Sequence, residues 1–317
     1  MTLKAFDHAL YKYGTMPLEK VLQPAIEYCF QGFQVRPAVH RFWMQPAQAG
    51  RIERVAVVKK FKAARDIYFK DGRLLNVGEY LKNPDMGRLY QKISREGVDV
   101  FYEGDVAEII ASDMKANGGL ITKADLADCE PTITDPLMGS YRGFDIATNQ
   151  MPGGGMMIIE MLNILENFDL RSMGHNSAEY ISCVAEAMKC ATIDKDAKMG
   201  DRKFLNVPIE ELSSKKYART LANKISAGEK FDVPRVNSGA QESKETTHLV
   251  VADAKGNIVN LTHSLGSSSG VVTEGLGFMY NNCMMVFDPR PGNTGSLAPG
   301  KSRFTAMCPT IISHNDG

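Results

Sequence analysis

Residues 246–264 read TTHLVVADAKGNIVNLTHS, and this stretch decides the fold. Two runs, THLVVAD and NIVNLTHS, are rich in Val, Leu, Ile and Thr, and they flank Ala254-Lys255-Gly256. β-branched runs on either side of a short Gly-bearing turn predict a β-hairpin. Side chains alternate across a strand, so Thr262 and Ser264 share one face while His263 points to the other. By the same alternation His248, two residues on, shares the face of Thr246.

Outward from the hairpin the character changes. Residues 227–245, AGEKFDVPRVNSGAQESKE, are polar and loop-forming apart from Phe231, Val233 and Val236, and predict an exposed linker. Before it the chain is mostly helical. PLEKVLQPAIEYCFQG (17–32) opens on Pro17 and stops at Gly32, with Pro24 expected to kink or divide it. Helical periodicity recurs over 77–97 and over 103–119, the latter ending at Gly118-Gly119. Residues 120–150 are β-branched and turn-rich, and YRGFDIAT predicts a strand after a tight turn. The helix after Gly153 is apolar nearly all round and therefore buried. A helix over 176–200 is expected to be capped by Asn176 with Glu179, and another to start at Pro208 and run through IEELSSKKYARTLANKI. Beyond the hairpin, short strands are expected at GFMYNN and MCPTIIS. The order is helices, a loop, then a sheet whose first strand opens on two threonines.

Composition narrows the function classes. The 317 residues are 44% hydrophobic and 23% charged, the balance of a globular protein. Lys plus Arg and Asp plus Glu are both 37, and that neutrality argues against a nucleic-acid or anionic-membrane partner. The six cysteines form no CxxC pair and no zinc pattern, so no metal and no cofactor are expected. Cys183 and Cys190 lie two helical turns apart, too far for a disulfide, and buried free thiols are the simpler reading. The N-terminus lacks the apolar core of a signal peptide, which reads as cytoplasmic; an upstream signal would make it periplasmic or secreted.

The junction at 245/246 has its own chemistry. Cutting the Glu245–Thr246 bond would give Thr246 a free α-amine beside its hydroxyl. With an unperturbed pKa of about 8 the amine can act as base, so one residue supplies both nucleophile and base. The Thr246 hydroxyl could itself attack the Glu245 carbonyl. On the junction alone, plain β-propensity explains a Thr-Thr pair as well.

TTHLVVADAKGNIVNLTHSLGSSSG resembles the start of the small subunit of gamma-glutamyltranspeptidases. NGGLITKADLADCEPTITDPLMGSYRGFDIATNQMPGGG and MMIIEMLNILENFDL are similar to the family's large subunit, FMYNNCMMVFDPRPG and APGKSRFTAMCPTII to later small-subunit motifs. The resemblance covers most of residues 5–315, in the family's order. It implies the α/β, four-layered αββα sandwich of N-terminal nucleophile hydrolases, here incomplete at both ends. It also implies self-cleavage between Glu245 and Thr246, giving a large-subunit portion, 1–245, and the start of a small subunit, 246–317. By resemblance the reaction is acyl transfer or amide hydrolysis on a small-molecule γ-glutamyl or other acyl amide. Thr246 aligns with the nucleophile, and Thr262 and Ser264 with hydroxyl residues on the neighbouring strand, Ser264 with the one that orients it. Homo-oligomerisation is left open.

Several substrate-holding positions depart from the family. Gly266 stands where Asn is usual, Cys283 and Val286 where an amide and a carboxylate are usual, and Thr305-Ala306 where a serine pair is usual. Neither Cys283 nor Val286 can make a carboxylate's charge-assisted bond. The family's upstream arginine segment and downstream glycine pair are absent, so the chain is expected to be part of a longer protein. Two alternatives follow: a divergent amidohydrolase with a non-glutamyl substrate, or a non-catalytic relative. Other features have plainer accounts. Gly153-Gly154-Gly155 lacks a GK[ST] and is expected to serve close packing rather than phosphate binding. His248 is expected to be structural, and Met151, Met156, Met157, Met161, Met284 and Met285 to fill core. VVKKFKAARDIYFK (57–70) is expected to present a solvated helix face.

Overall fold

Asn83, Thr122, Ser177 and Ser214 each accept a backbone N–H from three residues on, and each starts a helix. Such a cap contributes about 1 kcal/mol. These elements belong to a computed structural model that describes residues 1–46, 52–234, 246–266 and 268–314. The described residues form two units: 1–133 with 268–282, and 134–234 with 246–266 and 283–314.

In the first unit the Leu18–Gln31 helix packs on the Pro84–Glu96 helix. Gly87 permits the approach, because a Cβ there would lie 2.8 Å from the Phe30 ring. Leu89, Ile93, Val106, Ile110 and Leu276 form one cluster; Val35, Val58, Ala64 and Ile67 form part of another. The lysines at 59, 60 and 62 stay exposed, as the solvated-face reading expects.

The second unit carries every candidate site residue. Its three-stranded antiparallel sheet has the order Thr310–His314, Phe144–Thr148, Leu137–Tyr141. Arg142 and Gly143 join the last two with φ of 50° and 86°, the doubly positive geometry that suits hairpin twist. Leu137 and Ile146 pack on Met156 and Ile159 of the Gly155–Leu165 helix, together with Met199 and Leu212. Each such buried side chain stabilises by roughly 1.5–3 kcal/mol. The Ala178–Lys198 and Lys215–Ser226 helices add Ala187, Cys190, Ala218 and Leu221 against Ile164.

Glu160 is an acid sealed among these helices. Glu160 is 0% exposed, and neither of its oxygens has a donor in reach while it is ionised. Burial first, then the neighbouring Asp194, push its carboxyl up to about 9, so the acid is neutral at pH 7 and its proton bonds Asp194. Asp194 accepts from Tyr217 Oη at 2.6 Å and pairs with Lys198 Nζ at 3.0 Å.

Several expectations are revised. The 17–32 helix is not divided by Pro24 but runs from Leu18 to Gln31. The 77–97 pattern is strand at Tyr80–Leu81 and helix only from Pro84, because Asn83 caps there. Ser177, not Asn176, caps the long helix; Asn176 has φ 58° and precedes it. The helix after Pro208 is two, Ile209–Leu212 and Lys215–Ser226, since the Ser214 side chain starts a new cap. Met284 is 57% exposed and fills no core. All six cysteines are free, two of them buried, Cys183 and Cys190, and four half-buried. Linker residues 235–245, Glu245 included, lie outside the described residues. No described helix is long and apolar enough to cross a membrane, and no described His, Cys, Asp and Glu cluster could hold a metal.

Candidate active site

Asp253 builds the turn that sets the hairpin register. Its Oδ1 accepts the N–H groups of Lys255 and Asn257 at 2.8 and 2.9 Å, and its Oδ2 accepts Asn257 Nδ2 at 2.8 Å. These bonds hold its carboxyl below the usual carboxylate range. Gly256, at φ 83°, completes the reversal where a side chain would be strained. Strands Thr246–Ala252 and Ile258–Ser264 then pair from Ala252↔Ile258 out to Thr246↔Ser264.

That register fixes which groups meet. Thr246 Oγ1 lies 3.0 Å from Ser264 Oγ, and one step along the same face His248 Nδ1 lies 2.8 Å from Thr262 Oγ1. Hydroxyl protons rotate, so either oxygen of the first pair can donate. Ser264 Oγ also accepts the Gly266 N–H at 3.0 Å, which fixes the oxygen facing Thr246. Thr262 therefore meets His248, not Thr246, and Thr247 pairs with His263 on the opposite face. Asn260 Nδ2 donates to Thr310 O at 2.8 Å and ties the hairpin to the three-stranded sheet.

Cys283 is brought to Gly266. The glycine has φ 74°, and a Cβ on it would sit 2.8 Å from Cys283 Sγ. Val286 ends the same short 3-10 turn, Cys283–Val286, and is 43% exposed. Thr305 and Ala306 sit on a segment held elsewhere: Thr305 N–H bonds Pro152 O at 2.9 Å, and Gly154 N–H bonds Met307 O at 3.0 Å. A Cβ at Gly154 would lie 2.6 Å from Ala306 O, and one at Gly155 2.3 Å from Asn149 O. The triple glycine thus serves backbone packing, as its sequence context suggests.

The hairpin and its facing hydroxyls were legible from the alternation. The Asp253 turn, the Asn260 tie and the Gly266 bond to Ser264 were missed. The only sequence signal for the first was an acidic residue opening a D-x-x-G-N turn; the other two depend on a partner remote in sequence or on a backbone N–H.

Residues 2–317 match the family model described as Gamma-glutamyltranspeptidase. The chain is 35% identical to the glutathione hydrolase proenzyme of Escherichia coli (strain K12), over 98% of its own length and 55% of that protein's. It is 36% identical to the acylase ACY 1 proenzyme of Pseudomonas sp. (strain SE83), over 98% and 54%. The cephalosporin acylase from Bacillus halodurans superposes with a TM-score of 0.83 at 26% identity, over 99% of this chain and 56% of that one. The chain spans about half the length of the curated relatives it matches.

Proposed function

Because the chain belongs to the gamma-glutamyltranspeptidase family, we propose that it is part of an acyl-transferring or amide-hydrolysing enzyme in which Thr246 becomes an N-terminal nucleophile. Its α/β fold is that of the family's N-terminal nucleophile hydrolases. In maturation the Thr246 oxygen attacks the Glu245 carbonyl carbon and the C–N bond shifts to an ester. That shift frees the Thr246 amine, which takes the hydroxyl proton; water then cleaves the ester, giving the Glu245 carboxylate and restoring the Thr246 hydroxyl. In turnover the same oxygen attacks a substrate amide while the amine takes the hydroxyl proton and passes it to the leaving nitrogen. The acyl ester is resolved by water or by an acceptor amine. On this reading 1–245 is a large-subunit portion and 246 onward the start of a small subunit.

The observation that carries the reading is the 3.0 Å bond between Thr246 and Ser264, made by the first described residue after the linker. Ser264, held by Gly266, can donate to the nucleophile's oxygen and keep its rotamer while the amine takes the proton. Intact-mass measurement of the whole protein tests it. A new N-terminus at Thr246 is expected, with Thr246→Ala remaining one chain; an uncut wild type, or the alanine variant cut at the same bond, refutes it.

A non-glutamyl acyl group is the second reading, favoured by the uncharged CMMV turn beside Gly266. Relatives named acylase stand beside those named glutathione hydrolase, which supports it.

A further inference from the structure

We propose that His248, its ring held by Thr262, is the base that strips the surplus proton from an incoming amine acceptor, so that the Thr246 acyl ester passes to amines as well as to water. The proposal rests on the reading of Thr246 as nucleophile and adds a second proton acceptor to that site.

Pairing along the hairpin sets the imidazole beside the nucleophile. The pairs Thr246↔Ser264 and His248↔Thr262 are successive on one face, about 7 Å apart at 3.4 Å per residue. The next pairs on that face, Val250↔Asn260 and Ala252↔Ile258, bring no ionisable side chain. His248 is exposed, and its Nδ1 lies 2.8 Å from Thr262 Oγ1, so Nε2 is the nitrogen left for a ligand. Thr262 Oγ1 can accept from Nδ1–H both when Nε2 holds a lone pair and when it holds a proton. One bond therefore steadies the ring through proton uptake and release. It also accounts for Thr262, which meets His248 rather than Thr246.

The number of protons to be moved says why a second base is useful. Water attacking the ester has one proton to give up, and the Thr246 amine can carry it to Oγ1 as the ester breaks. An alkyl amine arrives as an ammonium: with a pKa of about 10, on the order of one molecule in a thousand is neutral at pH 7. It must lose one proton before its lone pair can attack, and a second as the new C–N bond forms. The Thr246 amine carries one proton at a time, and Ser264 Oγ is engaged by Thr246 and by the Gly266 N–H. In the proposed sequence His248 Nε2 takes the ammonium proton, the freed nitrogen attacks the acyl carbon, and the C–Oγ1 bond breaks. The second nitrogen proton passes through the Thr246 amine to Oγ1, and the imidazolium releases the first to solvent.

The test uses the whole protein, γ-glutamyl and butanoyl anilides as donors, and two acceptors of similar size, ethylamine and trifluoroethylamine. The second is already neutral near pH 7, because its fluorines weaken the nitrogen as a base. Each amine competes with water for one acyl-enzyme, so the ratio of amide to acid formed cancels any change in folding or acylation. His248→Gln keeps a side chain that can bond Thr262 but takes up no proton. It should lower that ratio for ethylamine by at least about tenfold, a conservative part of what a positioned base contributes, and move it for trifluoroethylamine by less than about twofold. Thr262→Val keeps the branched strand shape but frees the ring, and should lower the ethylamine ratio by about fivefold, the scale of one hydrogen bond. An equal fall for both amines, an ethylamine ratio that either variant leaves unmoved, or a wild type cut at Thr246 that acylates neither amine overturns the proposal while leaving the nucleophile in place. A wild type that is uncut and releases aniline from neither donor overturns the nucleophile reading, and this proposal with it.

Discussion

Replacing Glu160 by Gln should make the protein more stable in a pH-dependent way. Glu160 is fully buried and its carboxyl is pushed from 4.5 to about 9, chiefly by burial and then by Asp194. The groups facing it are Asp194, Lys198 and Cys190 on one helix and Tyr217 on another. Burial holds the Cys190 thiol and the Tyr217 hydroxyl at about 12, so neither titrates below pH 9. The folded pKa is raised, so the group's stabilising contribution is complete below pH 4.5 and declines as pH rises toward 9. Each pH unit in that window removes about 1.4 kcal/mol, so on the order of 3 kcal/mol is gone by pH 7. Glutamine has nearly the same shape, is neutral at every pH and can still donate to Asp194. Urea unfolding of both proteins from pH 5 to pH 9 reads the difference. Glu160→Gln should be close to wild type at pH 5 and gain steadily above it, by up to about 3 kcal/mol near pH 7. A gap that does not change with pH, or a wild type that gains on the variant as pH rises, would refute the neutral-acid account.

Ser264→Ala should slow both cleavage at Thr246 and turnover by about tenfold, since alignment of reacting atoms is lost; His263→Ala, on the other face, should change either by less than about twofold on the same scale. Cleavage half-times and steady-state rates measure both, and a crippled histidine variant would mean the register is wrong. Asp253→Ala removes all three acceptor bonds of the turn. It should lower amide hydrogen-exchange protection at Leu249 and Leu261 and slow cleavage; unchanged protection would show that the turn does not hold the register.

How much of this was written in the sequence depends on the range of the interaction. Alternation within 246–264 was enough to predict the hairpin and to place Thr262 and Ser264 on one face, because strand periodicity is local. Gly118-Gly119 and the apolar helix after Gly153 were legible for the same reason. Cap positions slipped by one residue at Asn176, where Ser177, directly before the Ala178–Lys198 helix, offered an equal acceptor. The division of the helix after Pro208 was hidden because a second cap, Ser214, sits inside an otherwise periodic run. Contacts such as Gly266 with Cys283, or Asn260 with Thr310, join residues remote in sequence and leave no local pattern. The buried state of Glu160 was equally invisible: in MMIIEMLNILENF one acid among apolar residues reads as the edge of a stripe.

Local polar bonds fix the hairpin's register. A one-residue slip would turn every side chain to the other face of the paired strands, so the register has to be held by particular bonds. Asp253 fixes it at the turn, Asn260 ties one strand to Thr310, and His248 with Thr262 and Thr246 with Ser264 close the far end. A slip by one residue would set Thr246 against His263 or Leu265, and the hydroxyl pair on which the proposed chemistry depends would be lost. The Thr246–Ser264 encounter therefore depends on Asp253, about 24 Å along the strand at 3.4 Å per residue, as well as on the two hydroxyls themselves.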